Sequence, residues 1–259
     1  MALKLNKIDD SVIQRNLERD LEKLQKRLAT PPQNKTASSE VEKYYEAIGT
    51  RSYDIGLMLY QQEKDPKEVC AYLARAGESF ARMHTVRERE EESERSPRDF
   101  ERAVNLVICF CPAEYRRMLS KVQQWQYFVP HDPDDEPLVS YLEVLKSYSA
   151  GDGLDKQIIA QINRYCLSDT APKEDRVFLA PKVKGLQAVA EKDSSTWERA
   201  ISDLVKAHAV EAKRGEYRLL PEGFMSLPAL MLAKLGEEIG KVCTIKSPYL
   251  PLNLLQVQK

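Results

Sequence analysis

Residues 195–214, STWERAISDLVKAHAVEAKR, are the stretch of sequence that decides the fold class. Its large apolar residues and one histidine recur every three to four positions: Trp197, Ile201, Leu204, Val205 and His208. This spacing places them on one face of a helix, with charged residues opposite. Ser195 and Glu198 have the spacing of a capping box, in which a hydroxyl and a carboxylate bond to backbone amides of the first turn. The stretch therefore predicts an amphipathic helix that ends near residue 213.

The residues that follow predict a second, more apolar helix and then an extended tail. A loop, RGEYRLLPEG at 214–223, leads to an apolar run from Leu227 to Ile239. Ser226 is suited to begin that helix, and Gly240 is suited to end it. Residues 241–255 contain two prolines, which cannot continue a helix because proline lacks a backbone N–H. We expect this extended tail to lie across the other helices.

Upstream, helical periodicity continues with clear start and stop signals. Proline pairs or capping residues punctuate the pattern at Pro31-Pro32, Asp65-Pro66 and Ser96-Pro97. Residues 177–191 are predicted to be helical despite Pro181 and Gly185. We found no reliable strand and no fixed repeat period. The sequence predicts an all-α fold: one domain over residues 1–259, built as an irregular bundle of about ten helices in solenoid-like hairpins.

Composition narrows the possible partners and the compartment. With 39 basic and 40 acidic residues the formal net charge is −1, which gives no global electrostatic reason to bind nucleic acid or an anionic membrane. The five cysteines are scattered and odd in number, which argues against a disulfide framework. The N-terminus carries charges throughout, and no stretch approaches the ~20 apolar residues of a membrane span. These features predict a cytoplasmic protein.

The sequence contains little that indicates catalysis. It has three histidines, and His208 falls on the inward face of its predicted helix, where a hydrogen-bonded core histidine is expected. Glycine-rich phosphate loops, nucleophile elbows and zinc-protease motifs are missing from the sequence. We predict a protein that is not an enzyme and that uses no cofactor and no metal.

An acidic segment is the first candidate for a binding site. The proline-punctuated stretch FVPHDPDDEP covers residues 128–137. Its acids and the two aromatic residues before them are the candidate contacts: Asp132, Asp134, Asp135, Glu136, Tyr127 and Phe128. The spacing matches no calcium loop, because the central glycine and the distant glutamate are missing. Two interpretations remain open, a solvated surface loop or an acidic surface that meets a basic partner, anchored by the two rings.

The C-terminal quarter resembles a known family. Four features carry the resemblance: Trp197 at the start of its helix, the pair Ala207-His208, the turn Pro221, Gly223 and Phe224, and the tail Ser247, Tyr249, Leu250, Pro251, Leu254 and Leu255. Together, over residues 195–256, they are similar to the end of the immunity-protein 49 family of bacterial polymorphic toxin systems. The match is weaker upstream, and the stretch GEYRLLP at 215–221 departs from the family pattern.

The resemblance implies a cytoplasmic, all-helical protein that binds and neutralises a cognate toxin delivered by a contact-dependent or type VI secretion system. It implies no cofactor and no reaction. A second hypothesis is a helical adaptor or chaperone that holds a secreted effector without inhibiting it. A third is an enzyme that reverses the toxin's modification of its target, and the scarcity of histidines and of catalytic motifs weighs against it.

Overall fold

A computed structural model describes residues 5–33, 36–88, 96–128 and 135–257. Within these ranges the chain forms α-helices and short 3-10 or π turns, with no strand, so the predicted all-α fold is confirmed. The α-helices are α1 (Asp10–Leu28), α2 (Ser38–Gln61), α3 (Pro66–Val86), α4 (Pro97–Phe110), α5 (Ala113–Leu119), α6 (Glu136–Ala150), α7 (Lys156–Cys166), α8 (Ala180–Glu191), α9 (Ser194–Arg214) and α10 (Leu227–Glu238).

Several helix ends lie where the sequence predicts them. The carboxylate of Asp65 accepts a hydrogen bond from the amide of Lys67 at 3.0 Å, and proline follows it at the first position of α3. Ser96 caps α4 in the same way through the amide of Arg98. Gly240 follows α10 with a φ of +81°, a left-handed conformation that glycine adopts without steric cost.

The predicted capping box of α9 is wrong. The helix begins two residues earlier than the capping box predicts, because Asp193 is its N-cap in place of Ser195 and accepts bonds from the amides of Ser195 and Thr196 at 3.0 and 3.1 Å. Glu198 faces the C-terminal tail instead, where it accepts bonds from the amide and the hydroxyl of Thr244. An aspartate caps a helix as well as a serine does, so the local pattern alone does not distinguish the two starts.

The C-terminal tail joins the two ends of the chain. Tyr249 donates a hydrogen bond from its hydroxyl to the carbonyl of Leu5 at 2.7 Å, and Tyr60 of α2 donates one to the carbonyl of Pro248 at 2.5 Å. The tail ends in a 3-10 turn over Leu252–Gln256, so the prediction of a wholly extended tail is wrong in that part. One buried apolar cluster includes residues from Leu5 to Leu255.

None of the helices in the described ranges is both long and apolar enough to span a membrane.

Candidate functional site

An open groove runs between α8 and α9. It encloses about 600 Å³, and its lining alternates exposed charged side chains with small or apolar ones. The wall from α8 includes Pro181 and Lys184, and the wall from α9 extends from Thr196 to Val210. Its volume lies within the range of ligand sites, but the groove is open along one side, as a surface for a polypeptide is.

A π turn shapes one end of this groove. Residues Asp175–Leu179 form a five-residue π-helical turn directly before α8, and the amide of Ala180 bonds to the carbonyl of Asp175, five residues earlier. Pro181 explains the wider turn: it has no amide to donate, and its ring would collide with the carbonyl four residues earlier in a regular helix. The turn presents Arg176 and Val177 to the groove. Turns of this kind occur often at functional sites.

The two helices approach each other closely at the floor of the groove. Gly185 of α8 faces Ala200 of α9: a Cβ added to Gly185 would lie 3.1 Å from the Ala200 Cβ and would collide with Leu232 of α10. Because both positions are small, the helices are close together at this point, and the longer side chains on either side form the walls. The inward stripe of α9 begins with Trp197, which is 1% exposed and donates its indole N–H to the carbonyl of Leu232 at 2.9 Å.

The groove carries an excess of positive charge. It is lined by four cationic side chains and one carboxylate: Arg176, Lys184, Arg199, Lys206 and Asp203. Asp203 pairs with Lys206 at 3.6 Å, and this exposed pair contributes little to stability. Two valines add apolar surface: Val177 is 36% exposed and Val210 is 58% exposed. The arrangement is suited to binding an anionic group beside an apolar one.

The described end of the acidic segment, Asp135 and Glu136, is connected through Arg98 to the residue before the π turn of the groove. Asp132 and Asp134 lie outside the described residues, whereas Asp135 and Glu136 stand at the start of α6. Arg98 links the two regions: it donates to Glu174 at 2.8 Å, immediately before the π turn, and Asp135 is close enough for its charge to act on it. The acidic contact surface remains a hypothesis.

The two aromatic residues before the acidic segment are buried. Tyr127 is 0% exposed and stacks on Phe100 with ring centroids 4.0 Å apart, and its hydroxyl donates to Glu143. Phe128 is 6% exposed. Both rings therefore pack inside the protein, and a role as exposed anchors would require this segment to rearrange.

The described histidines and four of the five cysteines are buried in the core, and Cys243 is partly buried against it. His208 lies 3.3 Å from the carbonyl of Gly223, which confirms the predicted hydrogen-bonded core histidine, and burial lowers its pKa to about 4. Burial, together with the charge of Arg87, lowers the pKa of His84 well below its ordinary value. The five thiols are free, and burial raises the pKa of each one, so at neutral pH they are protonated and poor nucleophiles. No group of three or more metal-ligating side chains occurs within the described ranges.

The buried carboxyl of Asp54 on α2 is expected to make the stability of the protein depend on pH. Burial raises the pKa of this carboxyl to about 7, with further increases from the charges of Glu222 and Asp20. The folded protein therefore holds this proton more tightly than the unfolded chain, and the stability that it contributes is lost as the pH rises from about 4 to 7. We expect Asp54→Asn to raise the free energy of unfolding by about 1 to 3 kcal/mol at pH 8 and by much less at pH 4.5.

Urea unfolding at both pH values checks this prediction, with Asp152→Asn on an exposed loop as the control. A stability gain that is equal at the two pH values would show that ionisation of Asp54 is not its cause.

The groove was missed by the sequence analysis, although part of its signal was present. The outward face of α9 repeats at helical spacing through Arg199, Asp203, Lys206 and Val210. This row is indistinguishable from an ordinary solvated helix face until the position of α8 is known.

The described chain is thus an all-α protein with an open cationic groove, and its described histidines and four of its five cysteines are buried. Residues 113–254 match the family model of immunity protein 49, which is more than half of the chain, and the chain belongs to that family. The groove lies wholly within the matched residues. No curated protein and no solved structure is significantly similar to the chain.

Proposed function

We propose that this protein neutralises a cognate bacterial toxin by stoichiometric binding, occluding the toxin's active site or another essential surface. The match to the immunity protein 49 family carries the proposal. Such families are generally non-enzymatic, and the buried histidines and thiols favour a packing role over a chemical one. The setting we propose is the cytoplasm of a bacterium that competes with its neighbours through a contact-dependent or type VI system. We propose that residues 1–259 form a single binding domain that uses no cofactor.

Co-expression with the toxin encoded by the neighbouring gene is expected to restore growth. Purified protein should form a 1:1 complex, and titration should abolish the toxin's activity at one molar equivalent, because occlusion requires one inhibitor for each toxin molecule. Light scattering after gel filtration measures the stoichiometry, and the toxin's own assay measures the inhibition. A protein that neither bound this toxin nor relieved its toxicity would contradict the proposal.

Two outcomes of this titration would favour the alternative functions. A toxin that stays fully active inside the 1:1 complex would favour an adaptor or chaperone. Neutralisation at far below one equivalent, lost on substitution of Asp132, Asp134 or Asp135, would favour an enzyme that reverses the toxin's modification. The same substitutions test the acidic contact surface, since they should weaken binding if that surface meets the toxin.

A further inference from the structure

We infer that the groove between α8 and α9 receives a carboxylate-bearing segment of the toxin, an inference that rests on the proposed function. The occupant is a short acidic stretch of polypeptide with an apolar side chain among its carboxylates. Three observations carry it: the cations without an ion pair, the exposed valines beside them, and the composition of the groove lining.

Two cations of the groove form no ion pair with any residue that the structure describes. Lys184 on α8 and Arg199 on α9 are both exposed, and among the described residues no carboxylate forms an ion pair with either one. They project from facing helices, so a segment lying in the groove passes between them. Complementary charges of this kind steer association and fix the register of two proteins.

The valines define the apolar part of the occupant. Val177 on the π turn and Val210 near the end of α9 line the same groove from its two walls. Ala207 and Pro181 extend this apolar surface between them. An apolar side chain inserted here would bury area on both helices, which is how anchoring residues contribute most of the affinity of an interface.

The lining favours a protein over a nucleic acid. The described lining contains no aromatic ring on which a base could stack. The formal net charge of −1 also gives no long-range attraction for a polyanion.

A charge-reversal pair tests the inference. Lys184→Glu/Arg199→Glu reverses the two unpaired cations of the groove, and Arg15→Glu/Lys43→Glu makes the same change at exposed positions on α1 and α2. Calorimetry measures the binding of each variant to a catalytically inactive form of the neighbouring gene's toxin. We expect the groove variant to bind about 100-fold more weakly and the control variant to bind within about threefold of the unmodified protein. Circular dichroism verifies that both variants keep their helices.

The outcomes separate this inference from the proposed function. If the unmodified protein binds and the groove variant binds equally well, the groove assignment is overturned and the proposed function stands. If the unmodified protein does not bind the toxin, both are overturned. A single-stranded DNA of about 20 nucleotides is the remaining probe. Binding of this DNA by the unmodified protein and not by the groove variant would assign the groove to nucleic acid instead.

Discussion

Replacing Lys182 with methionine is expected to destabilise the protein by about 3 to 5 kcal/mol. Lys182 of α8 forms an ion pair with Glu101 of α4, in which Nζ lies 2.7 Å from Oε1 and donates its hydrogen bond to Oε2 at 2.9 Å. Both side chains are only 10% exposed. Without the ammonium group the carboxylate of Glu101 is left buried and unpaired, and the cost of removing it from water is no longer offset.

The double variant Glu101→Met/Lys182→Met supplies the matched control. Two packed thioether side chains remove both charges at once, and we expect its stability to lie within about 1 kcal/mol of the unmodified protein. Urea unfolding followed by circular dichroism gives the free energy of unfolding for all three proteins. Equal losses in the single and double variants would show that packing volume, and not charge, is what matters at this site.

This ion pair also supports the candidate site. Lys182 and Lys184 are two residues apart on α8, so one side chain points into the core and the other into the groove. The inward lysine fixes α8 against α4, and the outward lysine then stands opposite α9. Nothing in the local sequence distinguishes the two lysines, because the direction of each depends on which helices cover α8.

The fold could be predicted from sequence because helical periodicity and its punctuation are local properties. Asp65 and Ser96 cap the helices that they precede, as their spacing predicts. The failures depend on distant residues. Glu198 bonds to Thr244 of the tail and not to the first turn of α9, and Tyr127 is stacked on Phe100 in the core. Such contacts join residues that are many positions apart in the chain.

The candidate groove was hidden for the same reason. Its charges are visible as a row on α9, but its shape depends on the π turn before Pro181 and on the close approach at Gly185. From the sequence alone, Pro181 and Gly185 are only residues that the predicted helix over 177–191 must tolerate. In the structure, Pro181 lines the groove beside the π turn, and Gly185 lets α8 approach Ala200, which lies at the floor of the groove.

After the Lys182 variant, the largest loss of stability is expected from adding one methyl group at Gly236. It lies on α10 beneath the ring of Trp197, and an added Cβ would overlap the Cζ2, Cε2 and Cη2 atoms of the indole. The ring is fixed from its other side, because its N–H bonds to the carbonyl of Leu232. Gly236→Ala therefore forces the indole to move, and we expect a loss of about 2 to 4 kcal/mol despite the better helix propensity of alanine.

A double-mutant cycle tests whether the indole is the cause. Trp197→Phe alone should destabilise the protein, because it removes a buried ring and its hydrogen bond. The smaller ring leaves room for the added methyl group, so Gly236→Ala should cost about 1 to 3 kcal/mol less in the Trp197→Phe background than in the unmodified protein. Urea unfolding measures all four proteins, and strictly additive losses would contradict the proposed overlap. Since Trp197 and Gly236 hold α9 against α10, Gly236→Ala should also weaken toxin binding by displacing the wall of the groove that carries Arg199.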